Sequence, residues 1–250
     1  SCGEYQSLLK SNDYNLVYKK AIEYYNKGDY QRAMNLLDGV RSVFVGQAKA
    51  QNIAYYRAFC SYNMKDYQIA SDLFKQFIQT YPESSFAEEC LYMMGFCDYK
   101  ASPKPRLDQQ VTEKAIREFQ LYLSRYPYSM RKDKVNTYMD EMRDKLSYKA
   151  YLSAKNYYLR EHYKAAVISL QNCLKDYPGS KYREEIMYML FVSKYQMAVN
   201  SVEDKKVERY NNAREEYYYF ADEYPNSRYA ADVKKMYEDI EAYLENYKFE

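Results

Sequence analysis

The sequence predicts an all-α fold, an array of about five helix-turn-helix repeats closed by a C-terminal capping helix. Three observations carry this. The phrase Tyr-Pro-x-Ser occurs four times, at Tyr81–Ser84, Tyr126–Ser129, Tyr177–Ser180 and Tyr224–Ser227, and holds four of the six prolines. Proline ends a helix and pushes the residue before it out of helical geometry. The serine can then accept a hydrogen bond from the free N–H groups that open the next helix. Counting back eleven, seven and four residues from each motif tyrosine gives a small residue and then two larger ones, which is one face of an α-helix. Short polar turns, Lys27-Gly28-Asp29, Met64-Lys65-Asp66 and Arg160-Glu161-His162, each precede a tyrosine and join this helix to an earlier one.

Residues 3–12 lack helical patterning and read as a tether of up to roughly 30 Å. The first repeat has small residues at Ala21 and Ala33, with Leu37 beyond, and Arg41 to Gly46 stands where later repeats have Tyr-Pro. The second has Ala58, Ala70, Phe74 and Phe77. The third has Gly95, Ala115, Phe119 and Tyr122, with residues 101–110 and their two prolines inserted between its helices. Residues 131–146 add a helix before the fourth repeat, whose positions are Ala154, Ala166, Leu170 and Cys173. The fifth has the bulky Phe191 at its first small position, then Ala213, Tyr217 and Phe220, and is expanded over residues 201–209. A helix over about residues 229–247 caps the exposed end of the stack. The expected organisation is a tether (1–13), three N-terminal repeats (14–130), and a linking helix with two repeats and the cap (131–250).

Composition excludes several classes. The chain of 250 residues is 47% hydrophobic and 29% charged, and no apolar run reaches the roughly 20 residues of a membrane-spanning helix. With 37 basic and 35 acidic side chains the net charge is +2, which argues against nucleic acid as the main partner. No C-x-x-C pair occurs, His162 has no metal-ligand spacing, and the six glycines form no phosphate loop. No enzyme, metal or cofactor is therefore expected. Glu88/Glu89, Glu184/Glu185 and Glu215/Glu216 read as helix-start or solvated charges, and Ser85-x-x-Glu88 as a capping box. Cys60, Cys90, Cys97 and Cys173 read as buried small hydrophobes.

Tyrosine dominates the aromatic content, at 35 residues against 10 Phe and no Trp. Each first helix carries two tyrosines seven apart: Tyr18/Tyr25, Tyr55/Tyr62, Tyr92/Tyr99, Tyr151/Tyr158 and Tyr188/Tyr195. Seven residues is nearly two turns, so each pair shares a face. Stacked repeats align them into two rows. The rows predict an aromatic-lined groove for an extended or helical polypeptide; the alternative is packing against the neighbouring repeat.

Ala58, Ala70, Phe74 and Pro82 resemble the tetratricopeptide repeat, whose arrays wind as right-handed superhelices with first helices lining a concave groove. The motif spacings, 45, 51 and 47 residues between successive motif tyrosines, exceed that family's roughly 34. Ser1-Cys2-Gly3 resembles a bacterial lipoprotein processing site, in which Cys2 would carry acyl chains. The stretches Tyr81 to Tyr92, Arg106 to Ala115 and Ala154 to Ala166 resemble a repeat junction, an insertion and the fourth repeat of the BamD family, lipoproteins of the outer-membrane β-barrel assembly machinery. The resemblance runs over about residues 14–247, and the tyrosine richness departs from it.

The resemblance implies a non-enzymatic assembly factor, lipid-anchored on the periplasmic face of the outer membrane. Its implied partners are the periplasmic domains of the β-barrel insertase BamA, unfolded outer-membrane proteins and other lipoproteins of the machinery, with no nucleic acid. Carried onto this chain, Tyr18, Tyr25, Tyr55, Tyr62, Tyr92 and Tyr99 are expected in the substrate groove, and Arg183, Glu184 and Tyr188 at the insertase contact. Two other classes compete. A periplasmic adaptor for envelope coordination often carries a coiled-coil segment, which is absent. A glycan-binding nutrient-uptake lipoprotein would be longer and Trp-rich.

Overall fold

The computed structural model describes residues 2–247; of Cys2 only the backbone is described, so the thiol expected to carry acyl chains lies outside the described residues. Among the described residues the chain forms twelve α-helices and no strand. They are α1 (Cys2–Leu9), α2 (Tyr14–Asn26), α3 (Tyr30–Val40), α4 (Ala48–Asn63), α5 (Tyr67–Thr80) and α6 (Ala87–Ala101). Then follow α7 (Gln110–Arg125), α8 (Lys132–Leu159), α9 (Tyr163–Asp176), α10 (Arg183–Val199), α11 (Glu203–Glu223) and α12 (Ala230–Tyr247). Two compact modules result, Ser1–Met142 and Arg143–Glu250.

The repeated punctuation works as its chemistry requires. Tyr81, Tyr126, Tyr177 and Tyr224 all leave helical geometry, with φ between −127° and −131° and ψ between 59° and 66°. Each motif serine donates its N–H to the motif tyrosine carbonyl, closing a tight turn. Its hydroxyl then accepts the N–H two residues on, from Phe86, Arg131, Tyr182 or Tyr229. The capping box expected at Ser85 does not form, because Ser84 takes that role and Glu88 instead accepts from Tyr122 and Ser129. At the other edge the intra-repeat turns need one left-handed residue each: Gly28 (φ 80°), Lys65 (φ 67°) and Glu161 (φ 60°).

The counted positions form the cores. Repeat 1 buries Ala21, Ala33, Leu37 and Phe44, and repeats 2 and 3 bury Ala58, Ala70, Phe74, Ala115, Phe119 and Tyr122. In the C-terminal module repeat 4 buries Ala154, Ala166, Leu170 and Cys173, and repeat 5 buries Phe191, Ala213 and Phe220 against Val233, Ile240 and Leu244 of α12. Gly95 packs so closely on α7 that a Cβ there would lie 2.8 Å from Phe119 Cδ1. All four of Cys60, Cys90, Cys97 and Cys173 are buried.

Three expectations are corrected. Residues 3–12 are not an unpatterned tether: α1 is helical, and Tyr5 and Leu8, three apart and so on one face, are buried against α3. Asn35 donates to the Tyr5 hydroxyl at 3.0 Å, and Arg32 sits over its ring. Two apolar side chains in so short a helix leave too little periodicity to read. The helix expected over 131–146 is not separate, because no Gly or Pro interrupts residues 131–159 and α8 runs through as 28 residues. Its first half buries Val135, Met139 and Met142 in the N-terminal module, so the division falls at 142/143, not at 130/131.

Candidate polypeptide-binding cleft

In the N-terminal module an open cleft of about 530 Å³ lies between α2, α4 and the start of α6. Tyr18, Ile22, Asn52, Tyr55, Tyr56 and Phe86 line it, with Lys19, Glu23 and Asn26 at its rim. Tyr18 stands three residues before Ala21, and Tyr55 three before Ala58, so the buried small residues fix both rings on facing helices. Tyr18 meets Phe44 edge-on at 6.2 Å, while Tyr55 lies against Phe86 and Phe59, both at 4.6 Å. Burial, partly offset by a hydrogen bond with Asn52, raises the Tyr18 pKa. Burial and then the Glu89 charge raise that of Tyr55. Both remain neutral phenols, and that of Tyr55 donates its proton to Glu89.

The remaining tyrosines of the first row are covered, and by a repeated device. Tyr92, Tyr151 and Tyr188 each carry, over the ring, the residue two beyond the next motif serine. These are Arg131 (4.5 Å), Tyr182 (4.3 Å, 10° between planes) and Tyr229 (4.0 Å, 8°). Phe86 is the same position over Tyr55. Three of these hydroxyls also donate to an acid five beyond that serine: Tyr55 to Glu89 (3.2 Å), Tyr151 to Glu185 (2.9 Å) and Tyr188 to Asp232 (2.6 Å). The first row is thus an internal ladder joining consecutive first helices within each module. Its first rung, Tyr18, carries Lys49 over the ring at 5.5 Å, nine residues before Ala58 as Phe86 is before Gly95.

Of the six tyrosines expected in the groove, Tyr18 and Tyr55 share the cleft. Tyr92 is buried and stacks on Phe96. Tyr25 meets Tyr56 at 4.9 Å and Tyr30 at 5.4 Å, and burial pushes its pKa up to about 12. Tyr62 packs on Tyr67 and Phe96, and Tyr99 on Tyr138, with its hydroxyl donated to Glu141. Sequence reasoning missed Ile22, Asn52, Tyr56 and Phe86. For Phe86 a signal existed: residues 86, 182 and 229 are all aromatic at the same offset from the motif serine.

Arg183, Glu184 and Tyr188 all lie in the first two turns of α10, with partners inside the C-terminal module. Arg183 forks onto Glu223 through Nε (2.5 Å) and Nη2 (3.0 Å). Glu184 accepts from Ser227 at 2.6 Å, as Glu88 does from Ser129 at 2.8 Å, so it belongs to a repeated internal contact. Among the described residues no group of three or more His, Cys, Asp or Glu is placed to hold a metal ion.

Solved structures that match include a TPR repeats protein from Bacteroides fragilis, 13% identical over 93% of this chain and 99% of that one, with a TM-score of 0.44. Another is the TPR2AB domain of yeast Sti1 in its pHSP90 complex, 13% identical over 91% of this chain and 98% of that one, with a TM-score of 0.40. Comparison with curated proteins finds no match. No described helix is long and apolar enough to cross a membrane. A family model, YfiO, described as an outer membrane lipoprotein, matches residues 10–185 and 149–250. The chain belongs to this BamD-type family of tetratricopeptide-repeat outer membrane lipoproteins.

Proposed function

We propose that this chain is a non-enzymatic assembly factor that receives extended segments of unfolded outer-membrane proteins in the cleft between α2 and α4. In the same reading Cys2 carries the lipid anchor, and the C-terminal module binds the periplasmic domains of a BamA-type insertase. The observation that supports it is the open cleft that Tyr18 and Tyr55 line together. Lys49 and Phe86 each lie over one ring of the pair, Tyr18 and Tyr55, and between the two first helices a cleft of about 530 Å³ stays open. Its apolar wall of Ile22, Tyr56 and Phe86 suits alternate side chains of an extended strand. The phenol of Tyr18 and the amides of Asn26 and Asn52 supply hydrogen bonds to a backbone. Arg183 and Tyr188, both partly exposed, are the insertase-facing side chains of this reading, while Glu184 keeps the start of α10 in place through Ser227.

The test is affinity for a fluorescent, unfolded outer-membrane protein fragment, with Tyr18→Ala and Asn52→Lys as variants. Both side chains sit at the cleft and outside the fully buried core, so folding should survive. Losing an aromatic anchor of this kind costs about 2 kcal/mol, or roughly thirtyfold in Kd. Unchanged affinity in both variants would contradict the reading. A mild-detergent pull-down should recover a β-barrel insertase, and recovery of cytosolic chaperones alone would overturn the assignment of partner.

A further inference from the structure

Helices alternate in direction along the N-terminal module, so the connections that open the first helix of each repeat share one edge. These are residues 10–13, 41–47, 81–86 and 126–131. Contacts along that edge confirm the neighbourhood. Lys49 Nζ reaches Asn15 at 2.5 Å, and Arg125 Nη2 donates to the Pro82 carbonyl at 3.2 Å. The end of α1 meets the end of α3, where Leu9 and Lys10 line a hollow with Gly39 and Val40.

This edge gathers unusual side chains. Tyr128 is 97% exposed and Met130 fully so, both at the tip of the turn between α7 and α8. Val45, at 76%, and Val43 protrude from the turn after α3, and Leu9 and Leu16 flank them. Nothing in the fold requires apolar residues there. The positions equivalent to Tyr128 and Met130 are Glu83 and Ser85, Gly179 and Lys181, and Asn226 and Arg228 in the other three turns. Five exposed bases accompany them, Lys10, Arg41, Arg125, Lys132 and Lys134, against four exposed acids, Asp13, Asp38, Glu83 and Asp133, of which Asp38 is paired with Arg57. Asp13 is already committed to capping the Leu16 N–H.

We infer that this edge rests on an anionic lipid surface, with Tyr128, Met130 and Val45 entering the headgroup region and the flanking bases facing the lipid phosphates. A protein partner would need a fitted pocket for each isolated tip, whereas a bilayer interface accepts separate protruding side chains without shape complementarity. Tyrosine, methionine and valine beside lysine and arginine is the chemistry of such an interface, in which basic stems reach back toward the phosphates. The contact adds to any lipid anchor and fixes which edge of the module faces the bilayer.

The chain has no Trp, so Tyr128→Trp creates a single indole reporter at an exposed site. It would be measured in the full chain carrying Cys2→Ser, with vesicles of phosphatidylethanolamine and phosphatidylglycerol. The edge predicts a blue shift and quenching by brominated lipid, weaker on neutral phosphatidylcholine and reduced by salt. Asn226→Trp, at the equivalent tip of the C-terminal module, should give neither. Val43→Ser with Val45→Ser should weaken vesicle binding about tenfold or more, and Lys132→Gln about fivefold. An unshifted spectrum with anionic vesicles would overturn the inference, as would equal shifts at positions 128 and 226. A shift that follows protein concentration without vesicles would assign the edge to a second copy and overturn it too.

Discussion

Gly95→Ala should destabilise the protein although it replaces a helical glycine by the best helix former. The added Cβ would lie 2.8 Å from Cδ1, 3.0 Å from Cε1 and 3.3 Å from Cγ of Phe119. That ring is fully buried and held between Tyr92 (6.3 Å) and Tyr138 (5.9 Å), so it cannot swing clear. Relief requires α6 to move away from α7. Overpacking of this kind costs about 1–3 kcal/mol. Alanine returns about 1 kcal/mol of helix propensity. The net loss is then about 1 kcal/mol, and Tm should fall by about 2–4 °C in a chain of this size. Thermal and urea unfolding followed by circular dichroism would read it. The same substitution in a Phe119→Ala background should become neutral or stabilising, since all three atoms in conflict are gone. A rise in Tm on Gly95→Ala alone would refute the reasoning.

Other outcomes follow from the same physics. The Glu118 carboxyl is buried beside Asp98, with Oε2 unpartnered, and burial first, then Asp98, push its pKa up to about 8 from 4.5. A carboxyl raised on folding binds protons preferentially in the folded state. Its stabilising proton uptake is complete below about pH 4.5 and is lost as pH rises through about 8. Glu118→Gln should raise Tm at pH near 8 and flatten its fall between about pH 5 and 8; an unchanged slope would contradict this. Lys65→Gly and Glu161→Gly should each add up to about 1 kcal/mol by relieving a left-handed backbone, whereas Gly28→Ala should cost about as much. Denaturation midpoints decide the sign. Tyr188→Phe keeps the stack on Tyr229 but loses the bond to Asp232, and should cost about 1 kcal/mol. Tyr188→Ala should cost clearly more, and equal losses would show that the stack contributes nothing.

The repeat was legible because its spacing has one physical cause. Tyr-Pro must end a helix, and the buried alanines at fixed offsets must face the neighbouring helix. Ala70, Phe74 and Phe77 could therefore be placed by counting alone. The tyrosine rows were legible as rows, but their role was not. Seven-residue spacing puts Tyr92 and Tyr55 on equivalent faces, and it does not say what lies opposite. That depends on the residues 30 to 40 positions later that stack on them and accept their hydroxyl protons, such as Phe86 and Glu89 for Tyr55. The internal partner of Glu184 was hidden for the same reason, since Ser227 is 43 residues away. Helix α1 escaped because Tyr5 and Leu8 acquire meaning only once α3 is in place.

The most direct test compares a position in the open cleft with the equivalent position on a later first helix. A photo-crosslinking amino acid placed at Asn52 points into the cleft beside Tyr55; one placed at Tyr148, three residues before Tyr151, sits beside a rung that Tyr182 already covers. In cell envelopes, or with purified unfolded outer-membrane protein, position 52 should capture the polypeptide and position 148 should not. Equal capture at both, or capture at 148 alone, would contradict the account.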